Sequence, residues 1–299
     1  MFNALSTTYK AIVLALIGFT SYSVADTSSK LLSAHYSVYQ IIAGVALVIL
    51  ILCVLLAGKM GGWQKTFATN KRRIHLARGI TNSIISVFLI LALSKLPLAT
   101  VYSILFTSPF IATLMAIPVF KERVSFHGWV SIIGGFIGVL LVFRPGVIAF
   151  DPDLIWALMS AGFIAVMFML SRALKNEETA LSLAFFPAVA NFVFMTPLAI
   201  FYFEPIALAH IPLFLLSGFG VFGGMLGIAM AFQTGKTSIV SPFHYSQIIW
   251  ALLAGYFIFG DVPDAWAMAG TSVIVASGLY LLFMERAPKA KAAKAAKAA

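Results

Sequence analysis

Charge is the scarcest commodity in this sequence. Only 10% of its 299 residues are Asp, Glu, Lys or Arg, against 61% hydrophobic residues. A chain with so little polar side-chain surface cannot cover itself in water, which excludes a soluble globule and indicates an integral membrane protein. Cysteine is rarer still. Cys53 stands alone in an apolar run, so there is neither a disulfide framework nor a thiolate metal site. Metal-binding and nucleophilic constellations are also missing: there is no HExxH, and His35, His75, His127 and His210 lie at or near loops. Only His244 is well inside an apolar run, with no acid beside it in sequence. A membrane-embedded hydrolase, which needs a nucleophile with its base or a metal held at depth, therefore has little to build on, and no cofactor or metal is expected. The formal charge of +10 brings no nucleic acid with it, because the basic residues are not interleaved with exposed aromatics but fall between apolar runs.

Two short patterns imitate nucleotide sites. Gly218 to Gly223 (GFGVFG) has the letters of the dinucleotide fingerprint but lies inside an apolar span with no strand before it. Gly220 with Gly224, Gly223 with Gly227, and Gly134 with Gly138 read instead as small-xxx-small pairs that let helices approach closely in lipid. Gly235-Lys236-Thr237 resembles the end of a phosphate loop, but Met230 stands where the loop's first glycine belongs.

What is present in abundance is apolar length. Ten spans are read, roughly 11–32, 38–57, 77–93, 99–120, 126–143, 154–174, 181–203, 211–232, 238–259 and 266–284. With the N-terminus inside, seventeen Lys and Arg, Arg78 among them, fall in cytoplasmic segments, and only Lys30, Lys95 and Arg144 fall outside. That asymmetry satisfies the positive-inside rule with both termini cytoplasmic. Lys10 and the Ser23-Val24-Ala25 run give the first span a signal-peptide look, but losing it would break the count of spans. The tail, residues 286–299, is an alanine-lysine repeat read as hanging free in the cytoplasm.

The fourth span, Ala99 to Phe120, has Pro109 at its middle, where a proline is expected to kink the helix and leave the oxygen of Leu105 short of a partner. The ninth span aligns with it without gaps at an offset of 139 residues, so that Ala112 meets Ala251 and Glu122 meets Asp261. The loop before the fourth span lies outside and the loop before the ninth inside, so the halves are antiparallel. Residues 1–148 and 149–285 are thus read as two inverted five-helix repeats, with the turn residues Pro145 to Pro152 at the boundary and a substrate site near the midplane.

Ionisable residues within spans are functional candidates by default. Asp26 and Lys30 stand four apart near the outer end of the first span and are expected to pair with each other, with a gating or coupling role as the alternative. His244 shares a helical face with Gln247 and Ala251 and is read as facing a cavity, flanked by Tyr245 and Trp250. Asn82 and Ser86 share a face of the third span, and Tyr102, Phe106 and Pro109 a face of the fourth. Asp26, Glu204 and Asp261 all sit near span ends, so the inferred lining is neutral, aromatic and hydroxyl-rich, suited to a zwitterion or a mixed polar-apolar metabolite.

With ten spans, two antiparallel halves and a fourth helix in each that ends in an acid (Phe120-Lys121-Glu122-Arg123; Phe259-Gly260-Asp261), the chain resembles the drug/metabolite transporter superfamily in its EamA-type branch. The clearest element is Ala92 to Gly146, with Gly134-Gly135-x-x-Gly138 and Arg144-Pro145-Gly146. The second half departs from the first in carrying Asp261 for Glu122 and Val262-Pro263 for Arg123-Val124. The resemblance implies ten helices around a central cavity, moving solutes by alternating access across a bacterial inner membrane. The branch includes YddG-like aromatic amino-acid exporters and uptake carriers for other metabolites. The reading is a secondary transporter, functional as a monomer, that exports amino acids or similar small metabolites, with uptake of S-adenosylmethionine or a sugar derivative as the alternative. Tyr102, Phe106, His244, Tyr245, Trp250, Asn82, Ser86 and Gln247 are the expected cavity wall, and Asp26, Lys30 and Pro109 the gating or coupling residues.

Overall fold

A computed structural model gives the fold and describes residues 7–121, 124, 126–143, 151–172, 174, 178–235 and 240–298. Glu122, the Arg144-Pro145-Gly146 turn and the half boundary, and Lys236 fall outside these residues. Regular structure among the described residues is all helical: α1 (Thr7–Leu32), α2 (Val38–Ala57), α3 (Trp63–Phe67), α4 (Arg72–Lys95), α5 (Leu98–Leu105), α6 (Ser108–Phe120), α7 (Phe126–Phe143), α8 (Leu154–Arg172), α9 (Ala180–Phe201), α10 (Ile211–Thr234), α11 (Gln247–Ala254) and α12 (Ala265–Ala298). Counting α5 with α6 as one span, seven helices are long and apolar enough to cross a membrane and three are shorter apolar helices, which together make the ten expected. The starts follow capping chemistry: the Ser37 hydroxyl accepts from Gln40 N at 3.2 Å, and Thr179 accepts from Ser182 N at 3.0 Å.

The distribution of polarity is that of a membrane protein. Leu55, Phe136, Ile200, Phe201 and Phe257 stand exposed on the outside, while Asp26, Gln40, His75, Arg78, Asn191 and Gln247 are buried. α1 packs on α10 and α4 on α8; α4 also meets α9, and α2 meets α10; α2 packs on α9 and α7 on α12. Exchange the first span with the sixth, the second with the seventh and so on, and each of these pairings maps onto another or onto itself. The span ends behave alike too. Lys121 (φ 54°) ends α6 and Gly260 (φ 71°) ends the π-helical turn Gly255–Phe259, both left-handed and 139 positions apart.

The glycines read as close-approach sites lie at these contacts. A Cβ on Gly227 would come within 2.8 Å of Gly18 Cα, and one on Gly220 within 2.7 Å of the Ser21 oxygen, so α1 and α10 touch backbone to backbone. Gly138 is placed likewise against α12, where its Cβ would meet the Gly270 oxygen at 2.8 Å. Ser29 and Ser217 hydrogen-bond across the first of these seams at 2.8 Å. The alanine-lysine tail continues α12 to Ala298, as alanine and lysine are both strong helix formers, although Pro288 brings no N–H to the ladder.

Candidate functional site

The fourth span does not kink at Pro109; it breaks just before it. α5 ends at Leu105, Phe106 and Thr107 form a turn, and Pro109 sits in the first turn of α6, where its missing N–H costs nothing. The oxygen of Leu105 is not orphaned either, since the Ser108 hydroxyl donates to it and the Thr107 hydroxyl donates to the Ile104 oxygen at 2.6 Å. Two hydroxyl residues ahead of the proline thus supply the donors that the backbone lacks. The ninth span is also discontinuous, beginning as a 3-10 turn over Ser241–Ser246 before α11 starts.

These two breaks face each other across the centre of the bundle. The His244 ring stacks on Phe19 of α1 (centroids 5.1 Å apart) and meets Phe106 edge-on at 5.2 Å. Tyr245 meets Phe106 edge-on at 5.1 Å, so two residues matched by the 139-residue offset touch. Gln247 is buried one turn on. Phe19, Phe106, His244 and Tyr245 form an aromatic collar, which Tyr102 extends by stacking on Phe106 at 6.3 Å.

Asp26 and Lys30 do not pair with each other. The Tyr102 hydroxyl donates to Asp26 Oδ2 at 2.6 Å, in an environment where Tyr102 is 2% and Asp26 9% exposed. Lys30 turns instead to the end of α4, donating to the oxygens of Leu93 at 2.8 Å and Leu96 at 2.6 Å, with its ammonium 5.1 Å from the centre of the Phe259 ring. The carbonyls at a helix C-terminus lack intrahelical donors and carry the negative end of the dipole, so they outcompete a carboxylate that already has a phenol. Asp26 is buried one turn further in than Lys30, so the interior beside Tyr102 carries a carboxylate.

The remaining expected wall residues divide. Ser86 accepts from Asn191 Nδ2 of α9 at 3.2 Å, while Ser83 donates to Asn191 Oδ1 at 2.8 Å, so this face of α4 is partly spent on joining helices. Asn82 is half-buried on the same helix. Trp250 does not belong to the wall. It is 41% exposed beside Ile249 and Leu253, because Gln247 and Ala251 turn the other face of α11 inward. A crevice of about 480 Å³ between α4 and α9, lined by Ile80, Ile84, Phe88 and Phe194 among others, is apolar and includes none of the expected residues.

A second polar group escaped the sequence reading. At the start of α4, opposite the end held by Lys30, the Thr69 hydroxyl donates to Glu178 Oε1 and the Ser182 hydroxyl to Oε2, each at 2.6 Å. His75 Nε2 lies 3.1 Å from Oε1, a close contact that falls short of hydrogen-bond geometry. Burial pushes the Glu178 carboxyl up, but the donors Ser182 and Thr69, with His75, outweigh it and hold the group below its ordinary 4.5. One turn further along α4, Arg78 is 7% exposed, and its Nε and Nη1 have no hydrogen-bond partner among the described residues. Its charge had been counted toward topology.

An aromatic collar with polar groups at both ends of α4, inside an all-helical bundle with an apolar exterior, defines a multi-pass membrane protein. The chain belongs to the EamA-like transporter family, whose sequence signature it matches twice, over residues 9–144 and 152–284. It is 23% identical over 290 residues to the S-adenosylmethionine uptake transporter of Rickettsia prowazekii, covering 96% of this chain and 97% of that one. It is 26% identical over 184 residues to the riboflavin transporter of Vibrio cholerae, covering 60% of each. A solved crystal structure shares the fold with a TM-score of 0.57 at 16% identity, covering 91% of this chain and 99% of that one.

Proposed function

We propose that this membrane transporter is an uptake carrier for a small metabolite that joins an aromatic ring to charged polar groups, of the S-adenosylmethionine type, working by alternating access in a bacterial inner membrane with both termini cytoplasmic. The observation that carries the reading is the aromatic collar beside a buried carboxylate: Phe19, Phe106, His244 and Tyr245 offer faces and edges for a planar ring, and Asp26 offers a counter-charge for a cation. The relatives agree in kind, the one matched over nearly its whole length being named for uptake of S-adenosylmethionine. Export of amino acids, the expectation from sequence, has no counterpart in the activities named for these relatives.

The carrier's two states follow from its two closures. His75 and Leu93 are 18 residues apart on α4, about 27 Å at 1.5 Å per residue, so the Glu178 group and the Lys30 group sit near opposite faces of the membrane. Residues 1–148 and 149–285 act as the inverted halves, and the basic tail 286–299 stays on the cytoplasmic side. Opening the Lys30 group exposes the collar to one side, and opening the Glu178 group exposes it to the other. Tyr102, Phe106, His244, Tyr245, Gln247 and Asn82 line the path, Ser86 and Pro109 support it, and Asp26 and Lys30 are gating residues. The chain works as a monomer and carries out no covalent chemistry.

Uptake of labelled S-adenosylmethionine, riboflavin and phenylalanine into proteoliposomes holding the purified protein tests the reading. Saturable uptake of S-adenosylmethionine that phenylalanine does not inhibit is expected. Saturable uptake of phenylalanine with none of S-adenosylmethionine would return the protein to the amino-acid reading.

A further inference from the structure

Among the described residues, buried polar atoms without a hydrogen-bond partner fall on His75, Ser160 and Arg78, and of these only Arg78 carries a permanent charge. Arg78 is 7% exposed, its Nε and Nη1 find no acceptor among the described residues, and its guanidinium cannot shed its proton. Holding such a charge out of water with two of its nitrogens unpaired among the described residues is costly, which points to an acceptor outside them. Glu178 lies within electrostatic reach of Arg78, but no hydrogen bond joins them: its oxygens accept from Thr69 and Ser182. Asp26 accepts from Tyr102 through Oδ2 and makes no hydrogen bond to Arg78. Tyr22 of α1, a helix in contact with α4, lies within electrostatic reach of both Arg78 and Asp26.

We propose that Arg78 is the anchor for a single carboxylate group of the transported solute, bound by the unpartnered Nε–H or Nη1–H donors of the guanidinium. Either donor can give a carboxylate oxygen a charge-assisted hydrogen bond. No lysine and no second arginine is buried among the described residues, so the site supplies one positive charge and fits a monoanion rather than a phosphate ester. Together with the collar and Asp26 this gives the path an anionic-group site on α4, a ring site at its centre and a cation site on α1. The assignment rests on the carrier reading above, and it narrows the substrate class to solutes bearing a carboxylate.

Binding to the purified protein in detergent, measured with S-adenosylmethionine and with its decarboxylated analogue, tests the assignment. The wild type is expected to prefer the carboxylate-bearing ligand by about tenfold to a hundredfold, the range of a hydrogen bond to a charged group. Arg78→Gln should lose that preference while still binding the decarboxylated analogue. Equal binding of the two ligands by the wild type, or a preference kept in Arg78→Gln, would overturn the assignment. If the wild type binds neither ligand, the S-adenosylmethionine reading fails, and the arginine is judged on the ligand-free protein. There, Arg78→Met should melt at or above the wild-type temperature if the charge is held for a ligand, and a clear fall in melting temperature would make Arg78 a structural residue and sink the proposal.

Discussion

Replacing Tyr102 by phenylalanine removes one oxygen atom, and the structure says what that atom does. Its hydroxyl donates to Asp26 Oδ2 at 2.6 Å between two side chains that are 2% and 9% exposed, so no water stands ready to replace it. Interhelical hydrogen bonds between neutral groups in membranes average only about 0.6 kcal/mol and reach about 1.7, because the unfolded chain in lipid also finds partners. A bond to a charged acceptor is worth about 1.5–3 kcal/mol, so Tyr102→Phe should cost at least about 1.5 kcal/mol, more than tenfold in the ratio of folded to unfolded protein. Reversible unfolding by sodium dodecyl sulfate in mixed micelles reads this, with Asp26→Leu and the double variant completing the cycle. The hydroxyl loses its charged acceptor once Asp26 is leucine, so Tyr102→Phe should then cost much less. A coupling below about 0.5 kcal/mol would refute the claim that a charged acceptor sits there.

Two further predictions concern packing and closure. Gly227→Ala places a methyl 2.8 Å from the Gly18 backbone and should sharply lower folded yield, whereas Gly162→Ala, with nothing within 4 Å, should be neutral or stabilising by up to about 1 kcal/mol as a helix-propensity gain; equal yields would remove the close contact of α1 with α10. Glu178 is depressed below its ordinary 4.5, so its contribution is present above that value and is lost as pH falls through the lower folded value. Protection from hydrogen exchange around Thr69 and Ser182, taken relative to the intrinsic rate at each pH, should therefore decline as pH falls below about 4.5, and Glu178→Gln should abolish the acid step; unchanged protection across that range would mean that the carboxylate does not hold this end.

Much of the architecture was legible because it rests on apolar length. Val38–Ala57 and Phe126–Phe143 lie where the hydrophobic runs place them, and the glycine pairs of α7 and α10 were found from spacing alone. The errors arose where a local rule met a tertiary partner. Asp26 and Lys30 have the spacing of a helical ion pair, yet each has a better partner on another helix. Pro109 marks the break correctly, but Thr107 and Ser108, whose hydroxyls move it a turn earlier and cap it, carry no such signal in a hydropathy profile. Trp250 was assigned by proximity in sequence to His244, although the phase of α11 turns it outward. Arg78 was legible in principle. It falls at the start of a span, where a basic residue is read as a topology signal, and only its burial separates it from Arg72 and Arg73, which stay exposed.

The central claim is that one solute site opens alternately to either side, and counterflow tests it most directly. Proteoliposomes preloaded with unlabelled S-adenosylmethionine are diluted into a trace of the labelled compound, and the internal label is followed with time. The account predicts a transient overshoot above equilibrium, because a carrier returning with unlabelled solute keeps presenting its site to the outside. Label that rises to equilibrium without overshoot, at a rate independent of preloading, would contradict it.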